Sequence, residues 1–158
     1  MKKLIVICSV VFVIIIALSI NIYLNSVEPV KAAEDDAVKR AKAETKLVSV
    51  NDFEIYHGNE TIYVIDGLDE AGDEVFVWVP ENDGEIQLLK QSEGITEQEA
   101  QNILTSEKGQ VDIISRKLGM EKNIPLWEIA YKTEGDLLNY YLIDFETGNK
   151  KLKVIENL

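Results

Sequence analysis

The chain opens on a stretch with few ways to fold. Lys2 and Lys3 are followed by no charged residue until Glu28. Leu4 to Val27 is therefore a run of 24 uncharged residues, and 13 of the 17 from Leu4 to Ile20 are Leu, Ile, Val or Phe. As helix the run extends about 36 Å, enough to cross roughly 30 Å of hydrocarbon. At about −0.3 to −0.6 kcal/mol each, its large apolar side chains favour insertion by roughly 4–8 kcal/mol. The two lysines predict a cytoplasmic tip, so residues 1–27 are expected to be a tip plus a single-pass signal-anchor, with the C-terminal bulk extracytoplasmic. Cleavage is the competing reading, because Ala17-Leu18-Ser19 offers small residues at a suitable spacing. Signal-peptide apolar cores are normally only about 7–15 residues, and this run is longer. Cys8 follows Ile7, where lipidation wants a small residue, so it reads as one more apolar side chain in the span.

Charge and composition exclude several functions. The chain carries 28 Asp+Glu against 16 Lys+Arg, net −12, and would be repelled by a polyphosphate. Nucleic acid is not an expected partner. One Cys excludes an internal disulfide and any multi-cysteine metal site. The single His57 sits beside Gly58 in a predicted turn, where an imidazole is ordinarily just solvated. No His-Glu-x-x-His and no Gly-rich phosphate loop is present. The acidic stretches Asp66–Glu74 and Glu81–Glu85 lack the ligand alternation of a calcium loop, and Asn82-Asp83-Gly84 is explained as a hairpin turn. No catalytic residue, metal or cofactor is assigned. The acidity fits a solvated surface or steering toward a basic partner.

The remainder reads as one unit written twice. Residues 28–33 look like a linker around Pro29. Glu34-Asp35-Asp36 suit a helix start and predict a helix to Val48. Strands are predicted at Val50–Tyr56, Thr61–Ile65, Glu74–Val79 and Glu85–Lys90. Thr96 and Glu99 form a capping box for a second helix. Strands follow at Val111–Lys117, Leu126–Lys132, Leu138–Phe145 and Lys151–Ile155. Ala37 and Ala100 lie 63 apart, Gly84 and Gly148 lie 64 apart, and Val75–Trp78 aligns with Asn139–Leu142 at the same offset. The expected domains are 34–92 and 93–158, each a helix on an antiparallel sheet, an α+β arrangement. Each copy alone has a marginal core, so the two should pack together.

The second copy carries a recognisable signature. Tyr141-Leu142-Ile143-Asp144-Phe145-Glu146-Thr147-Gly148-Asn149 resembles the strand–turn of PepSY-type domains, with Asp144, Thr147 and Gly148 as its turn. Gly94–Ala100 resembles their helix opening, and Pro125–Ile129 their central strand. The first copy departs from this: Val79–Gly84 has no Asp-x-x-Thr-Gly, so 34–92 looks like a diverged PepSY-like (DUF5590-like) domain. The order of anchor, diverged copy and PepSY-like copy resembles the TseB/YpmB family of Gram-positive bacteria. That resemblance implies tandem cystatin-like domains. It also implies a membrane-anchored, non-enzymatic regulator of cell-wall elongation that binds a class B penicillin-binding transpeptidase. Other PepSY-type proteins imply an alternative, an inhibitor or chaperone of an extracellular protease. An enzyme on wall polymers would need paired carboxylates in a cleft, which the sequence permits without indicating.

Alternation along the strands points to candidate contact residues. Phe76 and Trp78 share one face of their strand, and Tyr140 and Leu142 share the matching face 64 residues on. Val75, Val77 and Val79, and Tyr141, Ile143 and Phe145, take the opposite faces. Each sheet therefore has two apolar sides, and its helix can cover only one. Either the two sheets, or a linker, cover the second side, or Phe76, Trp78, Tyr140 and Leu142 form an exposed partner-binding patch. Trp127, Ile129 and Tyr131 share a face and read as core.

Overall fold

The computed structural model describes the backbone of residues 2–133 and 135–155, and the side chains of 11–21, 28–133 and 135–149. A long helix, α1 (Lys2–Glu44), leads into four strands: β1 (Leu47–His57), β2 (Thr61–Asp69), β3 (Glu74–Pro80) and β4 (Gln87–Lys90). After a single 3-10 turn (Gln91–Glu93) come α2 (Glu97–Lys108), β5 (Asp112–Glu121), β6 (Ile124–Thr133), β7 (Leu137–Asp144) and β8 (Lys150–Ile155). The strands form two antiparallel meanders, β1-β2-β3-β4 and β5-β6-β7-β8. The fold is mixed α+β with antiparallel sheets.

Several boundaries differ from the sequence expectation: β1 starts at Leu47 rather than Val50, and β2 runs past Ile65 to Asp69. Residues 28–33 are helical, with Pro29 inside α1. The proline removes one N–H from the ladder, but the stretch contains no glycine and ends on the good helix formers Ala32 and Ala33. The helix then stops at Glu44, short of Val48. Thr45 ends it: its Oγ1 donates to the Ala41 carbonyl (2.7 Å) and accepts the Leu47 N–H (3.2 Å). Strand β5 continues past Lys117 to Glu121, so Leu118 and Met120 join the core. Among the described residues, no helix is long and apolar enough to cross a membrane. Of the run read as an anchor, only the side chains of 11–21 are described. Those of 4–10, Cys8 included, and of 22–27 lie outside the described residues.

By its contacts the chain divides between Asp36 and Ala37, and both sheets belong to the second unit. Within that unit, Ala37 and Ala41 at the end of α1 are fully buried, as are Ile65, Val75, Val77 and Val79 on the matching side of the first sheet. Helix α2 buries Ala100 and Leu104. Its start is the predicted box: the Thr96 hydroxyl accepts the Glu99 N–H (3.2 Å), and the Glu99 carboxylate accepts the Thr96 N–H (2.8 Å). These bonds hold the Glu99 carboxyl below its ordinary range.

The duplication is visible in strand register. Val64 pairs with Trp78 in the first sheet, and Glu128 with Leu142 in the second, each 64 residues on. Asp66–Phe76 and Ala130–Tyr140 correspond likewise. On the outer strands the offset is 63, because Glu54–Val64 matches Lys117–Glu128. Between the copies lies one core, in which Trp78, Val64 and Ile62 of the first sheet meet Leu118, Met120, Leu126, Trp127 and Phe145 of the second.

Candidate functional site

The four residues proposed as a contact patch separate into two environments. Trp78 is fully buried and Phe76 is partly buried. Their rings meet Phe145 edge-on, at centroid distances of 5.3 Å for Trp78 and 5.8 Å for Phe76. This side of the first sheet is covered by the second copy, so Trp78 forms no exposed docking patch. The cause is the arithmetic of faces: a four-stranded sheet with apolar side chains on both sides buries the second by docking its twin. Leu142 is only 4% exposed, and Tyr140 is partly buried. These two line a groove.

That groove, about 630 Å³, lies over the side of the second sheet away from α2. Its floor follows from register. Lys117 opposes Glu128, which opposes Leu142; Ser115 opposes Ala130, which opposes Tyr140; Lys132 opposes Leu138. The volume is within the range of ligand sites, roughly 300–1,000 Å³. The tip of the β1–β2 hairpin, Tyr56 to Asn59, forms one wall, with His57 exposed at the rim.

One contact fixes that wall. Tyr56 is 2% exposed, and its hydroxyl donates to Glu128 Oε2 at 3.0 Å. Its ring lies on Gly119, where a Cβ would sit 2.6 Å from the ring carbons. Only a glycine admits that approach. Burial pushes the Glu128 carboxyl above its ordinary range, against the opposing effects of the Tyr56 bond and Lys117. Burial and the neighbouring Glu128 raise the Tyr56 phenol. The sequence carried a faint signal of this contact, an isolated Gly interrupting a strand pattern. Nothing in the sequence named Tyr56 as its occupant.

A second cleft, about 150 Å³, lies between the sheets beside Phe76 and Trp127. It is lined by Asp52, Glu54, Asp66, Glu97 and Arg116. Burial raises the Glu54 and Asp66 carboxyls, and Asp52 raises both further. Arg116 pairs with Glu97 at 3.5 Å and donates to Gln101 Oε1 at 2.9 Å. Among the described residues, no group of three or more His, Cys, Asp or Glu is placed to hold a metal ion. The acidic loop after β2 is a turn: Asp69 Oδ1 accepts the N–H groups of Ala71 (2.8 Å) and Asp73 (2.9 Å), which hold its carboxyl low.

The signature turn is equally local in purpose. Asp144 is buried, and its Oδ1 accepts the Thr147 N–H (2.9 Å) and hydroxyl (2.8 Å). Gly148 has φ of 67°, the left-handed region that favours glycine. These three residues close β7 onto β8. Trp127 donates its Nε1–H to the Ile95 carbonyl at 2.9 Å, and Tyr131 is 1% exposed. Both are core.

Fold and site together define a duplicated α+β protein whose two sheets share a core and whose second sheet keeps one open face. Comparison with known proteins places it more narrowly. Residues 36–80, from α1 through β3, match the model of the "Cell wall elongation regulator TseB-like domain". The chain is 30% identical over 158 residues to the "Probable cell wall elongation regulator TseB" of Bacillus subtilis (strain 168), covering 97% of this chain and 93% of that protein. The solved structure of the YpmB protein from Bacillus subtilis superposes with a TM-score of 0.72 at 34% identity, over 77% of this chain and 95% of that one. The chain belongs to the TseB/YpmB family, and this relationship supports a role in regulating the cell wall.

Proposed function

We propose that this protein is a non-enzymatic regulator of cell-wall elongation, held at the outer face of the cytoplasmic membrane, that acts by binding a class B penicillin-binding transpeptidase. The observation that carries the regulatory role is the full-length relationship to a protein named as a probable cell wall elongation regulator. The anchor rests on the uncharged run behind Lys2 and Lys3. Its described part, from Val11 to Ile20, leaves its large apolar side chains 43–64% exposed. A helix apolar all round needs either a protein core or lipid around it. Tethering confines the search to the membrane plane and raises effective concentration. The two sheets, which we read as cystatin-like, PepSY-like units, supply a rigid docking body.

The test is crosslinking of the full-length tagged protein in intact cells, with mass spectrometry of what co-purifies. The control is the same anchor fused to an unrelated folded domain. Recovery of a class B transpeptidase above that control is the expected result. Recovery of an exported protease instead would replace this reading with the inhibitor one. A soluble, exported form that complements a deletion fully would remove the anchor from the mechanism.

A further inference from the structure

The open face of the second sheet carries a pattern that only strand register reveals. Across β5, β6 and β7, the row at one end is Lys117, Glu128 and Leu142. Four residues along β6, about 13 Å away, the row is Asp112, Lys132 and Leu138. The row between them, Ser115, Ala130 and Tyr140, is uncharged. One end is therefore positive, negative, apolar, and the other is negative, positive, apolar. A bulge in β5 between Ile113 and Ser115 produces the match. It shifts the phase of the strand, so that Asp112 shares the side of Lys117 while Ile113 packs against the core.

Such a face is complementary to itself. A two-fold axis along the middle row, in the plane between two facing copies, exchanges the two ends. Lys117 of one copy then faces Asp112 of the other, Glu128 faces Lys132, and Leu142 faces Leu138. Tyr140 meets its own counterpart at the axis. The other two-fold in that plane, along β6, sets Glu128 against Glu128 and Lys132 against Lys132, so the charges select the first. The wall from Tyr56 to Asn59 stands at the Glu128 end, and the selected axis puts the two walls at opposite ends of the contact. Ile114, 51% exposed at the groove, adds apolar area to bury. Glu121, opposite Ile124, lies outside the three matched rows. The Lys132–Asp136 pair (3.1 Å) is a surface pair of the kind that exchanges readily.

We propose that this face is the interface of a symmetric homodimer, in which the second sheets of two copies pack face to face with their β6 strands antiparallel. The dimer repeats between molecules what the duplication achieves within one, since the matching face of the first sheet is already covered by a sheet. The inference concerns the self-association of this chain and does not depend on which wall-synthesis protein it regulates.

The test is sedimentation of the full-length protein in detergent over a concentration series, with two single variants at exposed positions. Wild type is expected to show a monomer–dimer equilibrium. Asp112→Lys sets a lysine against Lys117 of the other copy, and Lys117→Asp sets a carboxylate against Asp112. The two-fold imposes each clash twice, so either variant alone should dimerise at least about tenfold more weakly than wild type. Mixed one to one, the two variants should dimerise again, because each supplies at both contacts the sign that the other lacks. A wild type that stays monomeric up to its solubility limit overturns the proposal. So do single variants that dimerise as tightly as wild type, because the contact would then lie elsewhere, the N-terminal helices included. Single variants that are weakened and not rescued by mixing overturn it too, because the charges would then not face one another across the interface.

Discussion

The two sheets are built to one plan, yet their matching faces have opposite fates. In the first, Trp78 is fully buried, and its ring and that of the partly buried Phe76 meet Phe145 edge-on. In the second, Tyr140 and Leu142 stand at the same register positions and line a groove of about 630 Å³. The difference shows how a duplicated unit divides labour. One copy spends its second apolar face on holding its twin, and the twin is left with a face to use. The chemistry follows the division, since the rings of Phe76, Trp78 and Phe145 meet on the first face, while charged side chains of both signs, Lys117, Glu121, Glu128 and Lys132, line the second.

The comparison is sharpest at its centre. Trp78→Ala should cost about 3–5 kcal/mol, because it empties a fully buried site. Leu142→Ala, its register equivalent, should cost about 2 kcal/mol, near the lower end for a buried leucine, because the groove lets the site relax. Chemical denaturation of the two variants measures this, and equal losses would mean that the faces are equally sealed. Trp78→Phe should cost less than half as much as the alanine, since the indole N–H is buried without a hydrogen-bond partner.

Gly119→Ala should destabilise by about 1–3 kcal/mol, because the new methyl displaces the Tyr56 ring. The Tyr56→Ala/Gly119→Ala pair should be clearly non-additive, with the second substitution nearly free once the ring is gone. An additive pair would show that Tyr56 does not lock the copies together. A smaller loss, about 1 kcal/mol, is expected for Thr96→Ala, which removes the cap of α2. The corresponding position in the first copy, Ala33, lies inside α1 and needs no cap, so substituting serine there should gain nothing.

The weakest effect is a dependence on pH. Glu54, Asp66 and Glu128 all have carboxyls raised by burial between or beside the sheets. A raised folded-state pKa means that the folded protein binds the proton more tightly than the unfolded chain. That contribution is complete below the ordinary carboxylate range and is lost as pH rises through the raised values. Glu99 and Asp69, held low, act in the opposite sense. Replacing Glu54, Asp66 and Glu128 together by their amides should therefore remove a component of stability that grows on mild acidification. Urea midpoints at pH 7 and pH 5 measure it, and an unchanged difference would mean that these three groups are solvated alike in both states.

Much of this was legible in the sequence. Period-2 alternation and turn residues located the strands, Thr96 and Glu99 marked the start of α2, and the 64-residue offset survives as paired register. Those features depend on neighbours within a few residues or on plain repetition. Asp144 and Thr147 were also readable, since their bonds are local. The end of α1 was misplaced because Ala-rich helix runs into β-branched strand without a Gly or Pro to mark the change.

The sequence determined by itself that each copy has more apolar faces than one helix can cover, because alternation fixes which side chains share a side. It did not determine which face would be sealed. That choice depends on side chains far apart in the chain, Tyr56 on Gly119 and Phe145 on Trp78, meeting at distances that no local pattern encodes. Packing is decided by shape in three dimensions, and only the tertiary structure shows that the first copy closes and the second stays open.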